Sequence, residues 1–89
     1  MSFNELFIDV SELEQPDPFE KVTQLLGTMK KGEYVCMLHR KKPLPLIQML
    51  LENGFDCIVR PREQALWEII IWYKKDSAVG QFCLSHFPV

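Results

Sequence analysis

The chain opens with alternating apolar and polar positions, a pattern that predicts a β-strand. Leu6, Ile8 and Val10 lie on one side of the segment, and Phe7 and Asp9 lie on the other. Because successive side chains of a strand point to opposite faces, this alternation predicts a strand with one face in the core. The strand is expected to end near Val10.

A helix start follows the first strand. Asp17 is suited to cap a helix, Pro18 fits the first helical turn, and Glu20 completes a capping box. The helix is predicted over about residues 18–29, and its apolar positions keep the spacing of one helical face. These positions are Phe19, Val22, Leu25, Leu26 and Met29.

Four more elements are predicted from the pattern of apolar residues. Residues 34–38 form an unbroken apolar run, which predicts a strand in the middle of a sheet. Residues 44–53 keep helical spacing, so a second helix is expected there. Residues 55–60 and 66–73 predict a third and a fourth strand, and the turn-forming segment 61–64 is expected to join them as a hairpin.

The order of these elements is β-α-β-α-β-β. Right-handed crossover connections place both helices on one face of a four-stranded mixed sheet. The predicted fold is therefore an α/β (α+β) two-layer sandwich formed by residues 1–76. An apolar C-terminal tail with little helical pattern, residues 77–89, is expected to pack on the sheet or at an interface.

The sheet face that the two helices leave open is predicted to carry apolar side chains. If Asp9 and Glu68 face outward, they lie on this open face. The alternation then puts Phe7, Ile70 and Trp72 on the same face, and such a patch is usually covered by something. The tail of the same chain, a second copy and a partner protein are the three alternatives. The candidate interface residues are Phe7, Ile70, Trp72, Phe82 and Phe87.

A basic run leaves the end of the second strand and enters the second helix. The predicted topology brings this run to the sheet edge at which the first helix begins. Helix N-termini attract anions, and ligands of open α/β sheets bind beyond the carboxyl ends of strands. We therefore expect a site for a small anion, with a solvated basic turn as the alternative. The candidate residues are Gln15, Asp17, His39, Arg40, Lys41 and Lys42.

Composition narrows the class of protein. The 89 residues suffice for one small domain, and 47% hydrophobic and 25% charged residues are ordinary for a soluble globular protein. A formal net charge of −2 argues against nucleic-acid binding, which needs a basic surplus. Because no apolar run approaches a membrane span and the first residues lack signal-peptide features, the expected location is the cytoplasm.

The three cysteines are predicted to be free thiols. Their odd number and wide spacing suit a reducing compartment better than a disulfide framework. Cys36 and Cys57 lie in apolar strands and are expected in the core, whereas Cys83 in the tail is expected to be the most accessible. The sequence contains no zinc-site spacing, glycine-rich phosphate loop or nucleophile elbow, so no metal or cofactor is expected.

The order of three short motifs supports a family resemblance. The motifs are Phe7-Ile8-Asp9-Val10, Pro16-x-Pro18 before a helix, and Lys31-Gly32-Glu33 at the opening of a strand. Together they resemble the SirA/TusA-like family of small proteins, over residues 6–74. Residues 39–46 and 50–55 are similar to a divergent, largely uncharacterised branch of it. The family's sulfur carriers bear a persulfide on the cysteine of a Cys-Pro-x-Pro motif, and Gln15 stands in its place here.

The expected function is a non-catalytic binding or regulatory module on a sulfur-carrier-like scaffold. It would act through the open sheet face, towards a protein partner or a second copy, or through the basic entrance to the second helix. One alternative is a sulfur-transfer or redox protein in which another cysteine, first of all Cys83, replaces the missing one. Another is a binder of a small anionic ligand near Gln15, His39 and Arg40.

Overall fold

A four-stranded mixed sheet forms the centre of the computed structural model, which describes residues 3–13 and 17–88, Asp17 by its backbone alone. The strands β1 (Asn4–Asp9), β2 (Glu33–His39), β3 (Phe55–Pro61) and β4 (Trp67–Tyr73) lie in the order β1-β2-β4-β3. β1 runs parallel to β2, and β4 runs antiparallel to both β2 and β3. The predicted order of elements and the central place of the second strand are confirmed.

Two helices cover one face of this sheet, as the crossover rule predicts. They are α1 (Asp17–Leu26) and α2 (Leu44–Glu52). α1 is shorter than predicted because the chain turns at Gly27, although Met29 stays in the core. The core between helices and sheet consists of buried apolar residues from all these elements. They are Val10, Val22, Leu26, Met29, Val35, Met37, Leu46, Leu50, Ile69 and Ile71.

The C-terminal segment is a helix, α3 (Ser77–His86), and not an irregular tail. Asp76 caps it, since a carboxylate oxygen of Asp76 accepts the N–H of Val79 at 3.4 Å. The helical pattern is weak in the sequence because apolar residues occur on several sides of α3. Val79 and Cys83 face the sheet and are wholly buried, whereas Leu84 is 62% exposed.

α3 covers the second face of the sheet and makes a second apolar core there. Of the three alternatives for this face, the structure therefore has the first, cover by the same chain. Among the candidate interface residues only Phe7 is left open, at 58% exposure on the edge strand β1. The other four candidates belong to this core or pack against it. The buried residues of this core are Tyr34, Cys36, Ile58, Ile70, Trp72, Val79, Cys83 and Phe87, with Phe82 beside them.

A glycine allows α3 to lie close to the sheet. A Cβ atom at Gly80 would lie 2.9 Å from Nε1 of Trp72, which is closer than a real Cβ contact permits. Trp72 itself is only 3% exposed, so its indole has little room to move away. The close packing of helix on strand therefore requires glycine at position 80.

Polar contacts hold both ends of α3. At its start, the carboxylate of Asp76 also accepts the N–H of Gly32 at 2.8 Å. Beyond its end, Nη1 of Arg60 donates to the carbonyl oxygen of Pro88 at 3.0 Å. Arg60 also pairs with the carboxylate of Glu68, which is 3% exposed and pairs with Arg62 as well.

None of the helices in residues 3–13 and 17–88 is long and apolar enough to cross a membrane.

Candidate anion-binding site at two helix N-termini

The end of β2 and the starts of α1 and α2 meet at one edge of the sheet. Since β1 and β2 are parallel, their carboxyl ends lie together, and each strand is followed by a helix. A cleft of about 50 Å³ lies at this meeting point. It is lined by Pro18 and Phe19 from α1, by Met37 and His39 from β2, and by Pro43, Pro45 and Leu46 at the start of α2.

His39 brings a polar side chain into this otherwise apolar cleft. Its side chain is buried, with the residue 4% exposed, and Nδ1 accepts the N–H of Lys41 at 2.9 Å. A neutral imidazole that accepts at Nδ1 carries its proton on Nε2. No described residue offers Nε2 a hydrogen-bond partner. The cleft therefore contains a buried N–H donor for which the described part of the chain supplies no acceptor.

The surroundings of His39 favour its neutral form. Burial lowers the pKa of His39 below its usual value of 6.5, and the positive charges of Arg40 and Lys41 lower it further. At neutral pH the ring is therefore an uncharged donor at Nε2. Since the lone pair on Nδ1 is already engaged by Lys41, the ring has no free lone pair with which to take up a proton.

The first turns of the two helices add positive potential to the cleft. Backbone N–H groups at a helix start lack intrahelical partners, and the helix dipole is positive there. In α2 the N–H of Leu44 is taken by the carbonyl of Lys42 at 3.0 Å, and Pro45 has no N–H. Helix geometry leaves the N–H of Leu46 as the remaining donor of this turn. The N-cap residue of α2, Pro43, supplies no side-chain cap.

Three cations follow His39 along the chain and stay in solvent. Arg40, Lys41 and Lys42 are all exposed. The ammonium group of Lys42 lies 5.6 Å from the ring centroid of Trp67. Among the described residues none of the three cations forms an ion pair, because the ion pairs there join Glu68 to other arginines. The run predicted to bind anions is thus a positive rim beside the cleft, with no ion pair to the residues that the structure describes.

Gln15 and Asp17 are the remaining candidates of the predicted site. Gln15 lies outside the described residues. Asp17 begins α1, but its side chain is also outside the described part of the chain. The structure brings His39, the cationic rim and the starts of both helices together. The burial of His39 has a signal in the sequence, because Val35, Met37 and His39 alternate along one strand and so share the core face.

The cysteines are arranged differently from the prediction. Cys83, expected to be the most accessible, is wholly buried because α3 turns it towards the sheet, and Cys57 is the partly exposed one. Burial raises the pKa of Cys83 to about 12, with a further contribution from Asp76. Burial and the nearby Glu68 carboxylate raise the pKa of Cys36 to about 12. The pKa of Cys57 is raised too, by burial and by Asp56.

A larger groove of about 640 Å³ lies at the opposite edge of the sheet, between the end of α2 and the start of α3. Lys31 and Lys75 line it but are exposed. Three of its polar side chains already serve the fold. Asp76 accepts backbone N–H groups, Tyr73 donates to the carbonyl of Met29 at 2.6 Å, and Asn53 donates to the carbonyl of Met49 at 2.7 Å. Within the described ranges, no group of three or more His, Cys, Asp or Glu residues is arranged to hold a metal ion.

Comparison with known proteins gives one family. A family model described as "Uncharacterized conserved protein (DUF2249)" matches residues 7–73. No curated protein and no solved structure matches the chain. The matched span includes every residue that lines the cleft at His39, and α3 lies beyond it.

Proposed function

The chain belongs to the DUF2249 family, and we propose that it is a non-catalytic module that binds a small anionic group in the cleft between α1 and α2. The observation that carries this proposal is the buried N–H at Nε2 of His39, which no described residue accepts. A buried donor left without an acceptor costs about 1–3 kcal/mol. An anionic oxygen in the cleft would accept this hydrogen bond and remove that cost.

The electrostatics of the cleft support an anion rather than a neutral ligand. The starts of α1 and α2, where the helix dipoles are positive, both line the cleft, and helix geometry leaves the N–H of Leu46 as a donor in the first turn of α2. The cleft of about 50 Å³ has room for one small group such as a carboxylate, since about 10–15 Å³ of such space already holds a water molecule.

The same groups argue for binding and against catalysis. A general base needs a lone pair within reach of the substrate, but Nδ1 of His39 is engaged by Lys41 and Nε2 carries the proton. A nucleophilic thiol needs a lowered pKa, whereas burial raises the pKa of all three cysteines. Sulfur transfer through Cys83 therefore has less support than anion binding.

We also propose that the domain is a SirA/TusA-like scaffold without the sulfur-carrying cysteine, and that it works in the cytoplasm. The β-α-β-α-β-β order and the helix that starts beside the end of β2 are the features that support this scaffold. Gln15 at the position of the cysteine supports a binding role. Three free thiols suit a reducing compartment.

The proposed function is tested by titration with acetate, observed by NMR at the His39 ring and the Lys41 amide. Acetate is expected to shift both signals in a saturable way and to raise the pKa of His39, because a bound anion favours the charged imidazole. The chain has two histidines, so the variant His86→Gln assigns the ring signals and keeps the response. His39→Leu should abolish the response at Lys41.

Chloride at equal ionic strength is the control for a general salt effect. A response of the same size to chloride and acetate, or no saturable change at His39, would contradict a built anion site. Retention of acetate binding in His39→Leu would contradict the role given to Nε2.

A further inference from the structure

The size of the cleft at His39 restricts what the anionic group is attached to. Pockets that enclose small-molecule ligands have volumes of about 300–1,000 Å³. The cleft measures about 50 Å³ and so admits one group, not a whole metabolite. Whatever carries the anion must therefore lie mostly outside the cleft, on the surface around its mouth.

The surface around the mouth of the cleft is positively charged and partly apolar. Arg40, Lys41 and Lys42 are exposed beside the mouth without ion pairs to described residues. Next to them Leu44 is 62% exposed, and Pro45 is exposed too. The rim thus offers three positive charges and an apolar contact, although the chain as a whole has a net charge of −2.

We propose that the occupant is an acidic segment of another protein, which inserts one carboxylate into the cleft and lays neighbouring carboxylates on the cationic rim. This inference rests on the proposed anion site at His39. Charge complementarity favours this partner. A local positive patch on an otherwise acidic protein attracts and orients an acidic ligand, and the acidic remainder of the surface repels that ligand. The exposed Leu44 contacts an apolar side chain of the same segment.

Nucleic acids and anionic membranes fit this surface less well than an acidic peptide. Both are extended polyanions, and the remaining surface of a chain with net charge −2 repels them. A planar carboxylate also fits a narrow cleft with a single buried side-chain donor better than a phosphate, which has more oxygen atoms to satisfy.

The test compares an acidic peptide with free acetate on the full chain. The probe is an N-acetylated, C-amidated peptide of alternating Glu and Leu, and its matched control has Gln at every Glu. Binding is measured by calorimetry, and the site is identified from the NMR signals of the His39 ring and the Lys41 amide. The acidic peptide is expected to bind at least about tenfold more tightly than acetate and to shift the same signals, and the Gln peptide is expected not to bind.

The triple variant Arg40→Gln, Lys41→Gln, Lys42→Gln examines the rim without changing a buried residue. The ratio of peptide affinity to acetate affinity should fall from about ten to about one in this variant, because the rim contacts are lost. An increase in salt concentration should reduce the peptide affinity of the unmodified chain in the same direction.

The outcomes separate this inference from the proposed function. If acetate shifts His39 but the peptide binds no more tightly than acetate, the anion site stands and the acidic partner is wrong. If neither ligand perturbs His39, the proposed function fails as well. Tighter binding of phosphatidylserine vesicles or of an oligonucleotide than of the peptide would also overturn the acidic protein partner.

Discussion

Protonation of His39 is unfavourable in the folded protein, and this affects stability at the scale of a single residue. A second proton would have to enter at Nδ1, where the N–H of Lys41 already donates. Arg40 and Lys41 are the neighbouring charges that act on the ring, and both oppose a further positive charge. The folded protein therefore takes up this proton at lower pH than the unfolded chain does.

The sign of the pH effect follows from this difference. The pKa of His39 is lowered in the folded state from 6.5, so between the two pKa values the unfolded chain binds more protons. Stability then rises with pH across this window and is lost as the pH falls below 6.5. We expect the free energy of unfolding, from urea titrations between about pH 7 and about pH 5, to decrease on acidification.

The variant His39→Leu shows whether His39 causes that decrease. It should flatten the profile in this window, because leucine binds no proton. An equally steep profile in His39→Leu would mean that another group binds the proton.

At the scale of elements, helix α3 depends on close contact with β4. In the middle of a helix with room for the added methyl group, replacing glycine by alanine stabilises the folded protein by about 0.5–1 kcal/mol. At position 80 the added methyl group would lie 2.9 Å from Nε1 of Trp72, in a core with no room for the indole to shift. The steric effect and the helix propensity therefore oppose each other at this residue.

We expect the steric effect to win in Gly80→Ala. Overpacking of a core costs about 1–3 kcal/mol, which exceeds the gain in helix propensity. Urea unfolding of Gly80→Ala should therefore show a lower free energy of unfolding than the unmodified chain. Gln81→Ala, at the next and exposed position of α3, is the matched control and should change stability little. A Gly80→Ala variant as stable as the unmodified chain would be inconsistent with α3 lying against Trp72.

The elements differ in how far the sequence predicts them. β1 follows from alternation, and β2 and β4 follow from apolar runs because they are buried on both faces. α1 and α2 follow from one apolar stripe each, because each has a single boundary between core and solvent. α3 has apolar residues at exposed positions such as Leu84, and this hides its period. The accessibility of Cys83 was predicted wrongly for the same reason.

The candidate site divides in a similar way. Topology alone predicts that the basic run and the start of α1 share a sheet edge, because parallel strands end together. The alternation of Val35, Met37 and His39 turns the ring towards the core, but the way Pro18, Phe19 and Leu46 line the cleft beside it depends on how α1 and α2 pack. That packing is a tertiary property, so the sequence indicates the residue but not the buried donor.

At the scale of the whole molecule, the sheet separates two cores. The cysteines of one core become accessible independently of the cysteine at the other core. Cys36 and Cys83 lie in the core beneath α3, and Cys57 packs partly buried against the other one. Departure of α3 from the sheet would uncover Cys36 and Cys83 in the same event. Access to Cys57 does not require that event.

Native-state alkylation followed by mass spectrometry should therefore label Cys57 first. Cys36 and Cys83 should react more slowly and at similar rates, because a buried thiol reacts only after local opening. Gly80→Ala should accelerate labelling of Cys36 and Cys83 but not of Cys57. Rapid labelling of Cys83 before Cys57 would contradict the packing of α3.

The position of α3 after β4 has a consequence for the order of folding. The four strands come from residues 4–73, whereas the second face of their sheet is covered by Ser77–His86, which follows all of them. An intermediate in which β2 and β4 are paired but α3 has not docked exposes Ile70 and Trp72, and apolar strand surface is prone to aggregation while it is exposed. Docking of α3 is therefore the folding step that ends this exposure.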